Sequence, residues 1–374
     1  MPMRTFKYRI YPTKKQALVL ADTLESCRVL YNCALQQRKV AYRQFGVSLN
    51  YYHQADELKG WRETFPCYKQ IHSQVLQDVL KRADKAYQNF FRRVKSGEKA
   101  GYPRFKGRGW YDSFTYPQSG FSLSANTKGN QRLKLSKIGS IKVKLHRVIK
   151  GKIKTCTIKR ELNRWYVCFS CEVEPEILPK TNKSVGVDVG IEKFAALSDG
   201  TLIENPKFLR KSEVKLKHEQ RCLSRKKKGS NSRMKQKEKL AKLHRKIANQ
   251  RNDFLHKESQ NLIINYDVIV FENLRIKNMM KNRHLAKSIS DASWAKFTEY
   301  TSYKAESAGR KVIFANPRNT SQICSGCGNI VKKNLSVRTH KCPCCGLILD
   351  RDVNAAINIL RAGTAPGGAT ALVG

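Results

Sequence analysis

Two cysteine pairs near the end of the sequence constrain this chain more than any other feature. Cys324 and Cys327 form one C-x-x-C-G motif, Cys342 and Cys345 form a second, and fourteen residues lie between the two pairs. Four thiolates at this spacing can surround one Zn²⁺ as a tetrahedron, and the glycine after each pair suits a turn whose backbone N–H groups face sulfur. Four protein ligands leave no open coordination position, so we expect the zinc to be structural.

Other residues compete with these four for the metal. Cys344 lies inside the second motif, but Cys345 restores the C-x-x-C-G symmetry and is the preferred ligand. His340 could replace a thiolate, although with four cysteines present we expect it to be a surface residue. Cys168 and Cys171 have the same spacing, but RWYVCFSCEV is typical of a strand, where residues three apart point to opposite faces. We therefore interpret them as packing residues.

The charge of the chain predicts a polyanionic partner. Lys and Arg number 73 against 29 Asp and Glu, a formal net charge of +44, and residues 207–257 alone hold 19 basic and four acidic residues. That segment predicts two basic helices, and YPRFKGRGWYDSFTYP mixes cations with aromatic rings suited to base stacking. A membrane is disfavoured, because no apolar run of about 18 residues and no signal-peptide core is present. Twelve cysteines in such a chain favour reduced thiols and metal binding.

The hydrophobic pattern divides the chain into three regions. After a strand-like start, residues 13–100 show two amphipathic helical patterns, the first with Thr13 as its N-cap and the second ending at Gly97. The following region, to residue 182, alternates apolar and polar residues in short runs, which predicts hairpins that form a small barrel with the first strand. From Lys183 onward, strand and helix patterns alternate and predict a mixed α/β domain with the cysteine module inserted.

Three acidic residues far apart in sequence predict a second metal site. Asp188 lies in the apolar run VGVDVG, Glu272 ends DVIVFE, and Asp352 opens the helical pattern DVNAAINIL. A carboxylate on a buried strand is costly unless it is paired or holds a cation. If the two strands are neighbours, about 4.8 Å apart, the three side chains can converge. Oxygen donors without nitrogen suit Mg²⁺ or Mn²⁺, and two such ions would support phosphodiester cleavage.

Each acid also has a purely structural interpretation. Asp188 can lie in a turn, and Glu272 can be the last residue of a strand. The negative charge of Asp352 can stabilise the N-terminus of a helix. Asp350 competes with Asp352. Because residues two apart on a helix face away from each other, we assign Asp350 to the cap and Asp352 to the metal. We assign Asp199 to a hairpin turn.

These motifs and their order resemble the transposon-encoded TnpB (OrfB) family, relatives of the type V CRISPR effectors. The matching segments include FKYRIYPTKKQ, YPRFK, GVDVG, SRKKKGS, FENL, SISDASW, SQICSGCG, CPCCG and DRDVNAAINI. The resemblance therefore spans nearly the whole chain. Cys344 and the short segment after Leu360, rich in small residues, depart from the family pattern.

The resemblance implies a multidomain α/β fold with a β-barrel. It comprises an RNase H-like (RuvC) nuclease domain with an inserted zinc ribbon, a helical recognition domain, and a wedge barrel of the oligonucleotide-binding kind. The expected boundaries are 1–12 for the first wedge strand, 13–100 for the recognition domain, 101–182 for the wedge, 183–319 for the RuvC-like domain with a basic hairpin at about 207–260, 320–348 for the ribbon, 349–362 for the final RuvC segment and 363–374 for a disordered tail.

The resemblance also implies functional residues and partners. The catalytic acids would be Asp188, Glu272 and Asp352, holding Mg²⁺ or Mn²⁺, and the structural Zn²⁺ ligands would be Cys324, Cys327, Cys342 and Cys345. A guide RNA made from the transposon end would pair with double-stranded target DNA beside a short flanking motif. The candidates for nucleic-acid contact are Tyr51, Gln77, Arg225, Lys226, Lys227 and Lys228. We expect a monomeric ribonucleoprotein in the prokaryotic cytoplasm, at the nucleoid.

The function expected from these features is RNA-guided, metal-dependent DNA cleavage. One alternative is a transposase-type strand-transfer enzyme, because an acidic triad on an RNase H-like fold also performs that reaction. The other is an RNA-guided DNA-binding repressor that does not cut. All three acids are present, which favours cleavage over the repressor.

Overall fold

A computed structural model describes residues 2–125, 131–334 and 337–365 of the chain. The chain forms two compact units with the boundary between Glu174 and Pro175. None of the described helices is long and apolar enough to span a bilayer.

The first unit contains a layer of helices. The described helices are α1 (Lys14–Phe45), α2 (Tyr51–Thr64), α3 (Pro66–Lys69) and α4 (Ser73–Lys95). Thr13 caps α1 as predicted, because its hydroxyl accepts a hydrogen bond from the Gln16 backbone N–H. The hydrophobic pattern predicted α1 and α4 but not α2, whose start is capped by Asn50.

The first unit also contains one antiparallel sheet of seven strands. They are β1 (Met3–Tyr11), β2 (Ser113–Tyr116), β3 (Phe121–Ala125), β4 (Gln131–Leu135), β5 (Gly139–Lys144), β6 (Lys152–Glu161) and β7 (Arg164–Glu172), in the order β2-β6-β7-β1-β5-β4-β3. The first strand pairs with both β7 and β5, as its alternating pattern suggested. Cys171 on β7 is fully buried and Cys168 lies on the other face, so both are packing residues as predicted. Closure into a barrel stays a prediction.

The second unit is built on a mixed five-stranded sheet. Its elements are β8 (Ser184–Val189), β9 (Lys193–Leu197), β10 (Leu202–Glu204), α5 (Phe208–Ser224), α6 (Asn231–Asn265), β11 (Val268–Glu272), α7 (Ile276–Met279), α8 (Ala286–Ala292), α9 (Trp294–Ala308), β12 (Lys311–Ala315), β13 (Thr339–Lys341), β14 (Ile348–Asp350) and α10 (Arg351–Thr364). The sheet order is β10-β9-β8-β11-β12, with β8, β11 and β12 parallel and the β8-β9-β10 meander antiparallel. Asp199 accepts a hydrogen bond from the Thr201 N–H in the β9-β10 turn, as predicted.

The two faces of this sheet carry different helices. Val185, Val187 and Phe271 point toward a core formed with α6 and α9, whereas Val270 and Ile313 pack with α10 through Ile359. Since neighbours along a strand alternate faces, Gly186, Asp188 and Glu272 belong to the α10 face.

The last helix ends later than predicted. It continues to Thr364, so the predicted disordered tail at 363–374 begins too early, and its residues 366–374 lie outside the described residues. The helices α8 and α9 are separated at Ser293, which adopts a left-handed conformation with φ 58°.

Candidate metal centres

The four cysteines of the ribbon meet at one point. The sulfur atoms of Cys324, Cys327, Cys342 and Cys345 all lie within 4.8 Å of one another. Cys324 is 3.6 Å from Cys345, and Cys327 is 3.5 Å from Cys342, measured between Sγ atoms. Among the described residues, no other group of three or more possible ligands from His, Cys, Asp and Glu is as tight. Four thiols so arranged fit a tetrahedral structural zinc.

The two halves of the ribbon have the same backbone geometry. Gly328 donates its N–H to the Cys324 carbonyl at 2.9 Å, and Gly346 donates to the Cys342 carbonyl at 3.0 Å. Both glycines are left-handed, with φ 81° and 74°, a conformation that side chains disfavour. Backbone bonds from Cys345 and then Cys344 lower the pKa of the Cys342 thiol. Cys344 itself is exposed and outside the group.

His340 is not a surface residue, and that prediction is wrong. It lies on β13, is fully buried, and its Nδ1 contacts the Lys333 ammonium. The pairing of β13 with β14 turns the imidazole inward, a consequence of tertiary structure that the sequence pattern does not reveal.

Asp188 and Glu272 lie at matching positions on neighbouring parallel strands. Val187 pairs with Phe271 in the β8–β11 ladder, so the next residues along the two strands are Asp188 and Glu272. Neighbouring strands are about 4.8 Å apart. Both carboxylates therefore lie at the carboxyl ends of their strands, on the face that α10 covers.

A glycine lets α10 approach this face closely. A Cβ atom on Gly186 would lie 2.0 Å from the Ala356 carbonyl oxygen and 2.7 Å from the Leu360 nitrogen, both in the backbone of α10. No other residue fits there without moving the helix. Gly186 is two residues before Asp188, so the same strand carries the acid and the contact that positions the helix.

The start of α10 separates the roles of two acids. Asp350 is the N-cap, since its carboxylate accepts hydrogen bonds from the Asp352 and Val353 backbone N–H groups at 2.8 and 3.2 Å. The predicted division is confirmed for the cap. The Asp352 carboxylate is held instead by Arg351, at 2.8 and 3.0 Å, and more weakly by Arg338 at 3.5 Å.

Polar side chains of α10 join this helix to the ribbon. Asn354 accepts from the Ser325 N–H at 2.9 Å and donates to the Ile323 carbonyl at 2.8 Å. Asn358 donates to the carbonyls of Thr320 and Ile323 at 2.9 and 2.7 Å. Both amides are buried. The segment that enters the first cysteine pair is therefore fixed to the helix that carries Asp352.

The three acids lie close enough to affect one another electrostatically. Burial raises the pKa of Asp188 well above its ordinary value, and the negative charges of Glu272 and then Asp352 raise it further, against the opposing charge of Arg351. Burial also raises the pKa of Glu272, although a hydrogen bond from the Thr320 hydroxyl opposes this. Partly buried carboxylates that destabilise each other's charge fit a divalent cation.

Thr320 is a candidate functional residue that the sequence analysis missed. It is buried, and its hydroxyl donates to one Glu272 carboxylate oxygen. It stands four residues before Cys324 in a segment without a regular pattern. No sequence signal distinguishes it from other threonines.

The predicted nucleic-acid residues are accessible to different degrees. Gln77 on α4 is exposed, while Tyr51 is partly buried against the core of the first unit, with the Lys81 ammonium 5.3 Å from its ring centroid. In the turn between α5 and α6, Arg225, Lys227 and Lys228 are exposed, and Lys226 is half-buried and donates to the Ser232 hydroxyl at 2.8 Å. These positions are compatible with contact to nucleic acid, and the structure brings none of them into the metal sites.

Three family models match parts of the chain. They are described as "Probable transposase" over residues 168–283, "Cas12f1-like, TNB domain" over 294–359 and "Helix-turn-helix domain" over 1–46. The first belongs to the OrfB family by name. Over residues 1–46 the structure has one strand and one helix, β1 and α1.

Two bacterial relatives match almost the full length. "Putative RNA-guided DNA endonuclease" of Streptomyces pristinaespiralis is 35% identical over 370 residues, covering 97% of this chain and 90% of that protein. "Putative RNA-guided DNA endonuclease InsQ" of Escherichia coli K12 is 35% identical over 384 residues, covering 97% and 93%. The chain belongs to the TnpB (OrfB) family.

A solved structure shares the fold of this TnpB-family chain. "Structure of the mini-RNA-guided endonuclease CRISPR-Cas_phi3" aligns with a TM-score of 0.56 over 96% of this chain and 92% of that one, at 11% identity. The match extends across both units and supports a mixed α/β architecture with several sheets. The Cas12f1-like match over 294–359 covers the four cysteines and indicates a zinc-ribbon-like domain.

Proposed function

We propose that this chain is an RNA-guided DNA endonuclease encoded by a transposon, cutting target DNA beside a short flanking motif by metal-dependent phosphodiester hydrolysis. The observation that carries the proposal is the placement of Asp188 and Glu272 at matching ends of parallel strands, under α10, whose first turn carries Asp352. Membership of the TnpB family and the names of the two bacterial relatives support it.

In this proposal Asp188, Glu272 and Asp352 hold Mg²⁺ or Mn²⁺. When bound, such ions activate water for attack on the phosphodiester and stabilise the leaving oxygen. Thr320 orients Glu272 through its hydrogen bond. Asp352 must exchange its contacts with Arg351 and Arg338 for the cation.

We assign the two units to the parts that guided cleavage requires. The second unit would be the RNase H-like (RuvC) domain, and its mixed sheet with acids at the strand ends supports this. The helices and the seven-stranded sheet of the first unit would be the recognition and wedge domains. Tyr51 and Gln77 would read the flanking motif, and residues 225–228 would contact phosphates. The working particle would be a monomeric ribonucleoprotein with a transposon-end RNA, in the prokaryotic cytoplasm at the nucleoid.

The test uses the protein purified together with RNA from its native locus. The complex is given DNA carrying the target that matches the guide and a randomised flanking sequence, with and without Mg²⁺. We expect double-strand breaks that need both Mg²⁺ and the matching guide. Asp188→Ala should lower the rate at least about a thousandfold while leaving RNA binding unchanged.

Asp199→Ala is the matched control, because Asp199 lies in the β9–β10 turn on the same sheet and outside the acid group. It should cleave at the normal rate. Undiminished cleavage by Asp188→Ala would refute the site. Joined donor–target products would indicate strand transfer, and occupancy of the target without breaks would indicate a repressor.

A further inference from the structure

The first unit contains an aromatic cavity that the proposed cleavage does not use. It has a volume of about 700 Å³ and lies between α1 and α4, with Tyr102 at one side. Phe90, Phe91 and Tyr102 form a connected ring cluster, with centroids 5.2 Å apart for Phe90–Phe91 and 5.3 Å apart for Phe90–Tyr102. A cavity of this size can take a small planar molecule.

Two of the lining rings are unusually exposed. Tyr42 on α1 is 68% exposed and Phe91 on α4 is 57% exposed. Large apolar side chains grouped around a cavity mark a binding site more often than isolated ones do. Their flat faces are available for stacking by another planar group.

A buried cation lines the same cavity with one donor unused. Arg38 is 6% exposed, its Nε donates to Gln54 at 2.8 Å, and its Nη1 pairs with Asp84 at 2.9 Å. Its Nη2 has no hydrogen-bond partner among the described residues. A buried donor without an acceptor is costly.

The positive charge around the cavity favours planar ligands that are part of an anion. Lys39 and Arg43 also line it, and the charge of Asp84 is balanced by its ion pair with Arg38. With a net charge of +44 on the whole chain, the surroundings favour a polyanion over an apolar peptide.

We propose that this cavity binds one unstacked base of a single-stranded nucleic acid. The base stacks on the exposed rings of Tyr42 and Phe91, beside the Arg38 side chain that lines the cavity. The adjoining phosphates lie near Lys39 and Arg43. Stacking on aromatic side chains accepts any base, so the site contributes affinity without reading sequence. The strand can come from the guide RNA or from single-stranded DNA.

The experiment measures binding rather than cleavage, so it succeeds or fails independently of the proposed catalytic site. The full-length protein is titrated, without added Mg²⁺, into a short single-stranded RNA that carries one 2-aminopurine, and into the DNA of the same sequence. Stacking of the probe base in the cavity should quench its fluorescence saturably. Stronger quenching in RNA assigns the guide as the source, and stronger quenching in DNA assigns the target.

The double variant Tyr42→Ala/Phe91→Ala should weaken binding of the better strand about tenfold or more and abolish the quenching. Both changed residues are exposed and uncharged, so the dependence of affinity on salt should stay the same. Val94→Ala, which removes an exposed apolar side chain from α4 outside the cavity, should behave as the parent protein. Equal affinity and equal quenching for the double variant would overturn the proposal, as would the absence of quenching by the parent.

Discussion

The two candidate metal sites of the second unit are built in opposite ways. The ribbon takes its four thiols from a span of 22 residues, Cys324–Cys345, and gathers them within 4.8 Å through two identical turns. The acid site takes its three carboxylates from β8, β11 and α10. The carboxylate oxygens of these three residues are not gathered within 4.8 Å of one another as the four sulfur atoms are. The ribbon geometry is local, whereas the acid geometry depends on the packing of the whole unit.

This difference explains how much of each site could be predicted from the sequence. The ribbon follows from spacing alone, including the choice of Cys345 over Cys344, because each turn is set by its own few residues. To predict that Asp188 and Glu272 converge, one had to assume that two strands far apart in sequence are neighbours in the sheet. This assumption is correct, because apolar runs such as VIVFE form parallel central strands.

Other features could not be predicted because they arise only from tertiary contacts. The fit of Gly186 against α10, the hydrogen bond of Thr320 and the burial of His340 depend on residues more than a few positions away. The same is true of Arg338, which contacts both Glu192 and Asp352. The caps of α1 and α10 were predictable, since capping is a local interaction.

Loss of zinc from the ribbon should also impair the acid site. Cys342→Ser should remove the bound zinc, and cleavage should fall at least about a hundredfold, because metal binding supplies the folding energy of such a ribbon and α10 is fixed to it. Elemental analysis gives zinc per chain, and cleavage is measured on the same sample. Cys344→Ser is the control and should keep both. Full activity in a zinc-free variant would show that the two sites are independent.

Gly186→Ala should move Asp352 away from Asp188 and Glu272 and leave the ribbon folded. The added methyl group would meet the backbone of α10 and push the helix, and with it Asp352, away from β8. A shift of about 1 Å at a reacting centre can lower the rate about a hundredfold. We expect that loss with unchanged zinc content. Gly60→Ala is the control, since nothing lies within 4 Å of its added atom, and equal rates for the two variants would contradict the role of the close approach.

Thr320→Val tests a finer part of the acid site. Loss of the hydroxyl frees the Glu272 carboxylate to rotate, so half-maximal cleavage should need about tenfold more Mg²⁺. The maximal rate at saturating Mg²⁺ should change less. Thr298→Val removes a hydroxyl that bonds only within its own helix, to the Ala295 carbonyl, and should leave the Mg²⁺ dependence unaltered. An identical Mg²⁺ curve for Thr320→Val would exclude the role of the hydroxyl.

The smallest effect should be on stability, and it depends on pH. Because the pKa of Asp188 is raised in the fold, the folded chain binds more protons than the unfolded chain between about pH 4 and that raised value. The free energy of unfolding therefore falls as pH rises through this window. Asp188→Asn removes the effect, so without Mg²⁺ its Tm should exceed that of the parent by a few degrees at neutral pH. The difference should shrink toward pH 4, and a constant difference would refute the assignment.

One residue belongs to both the ribbon and the helix that carries Asp352. Asp350 is the last residue of β14 and the N-cap of α10, so no linker separates the zinc-held strand from the helix. A helix turns by about 100° for each residue. An insertion or deletion of one residue at this junction would therefore rotate Asp352 away from β8 even if both elements folded normally. The ribbon thus sets the rotational position of Asp352 around the axis of α10.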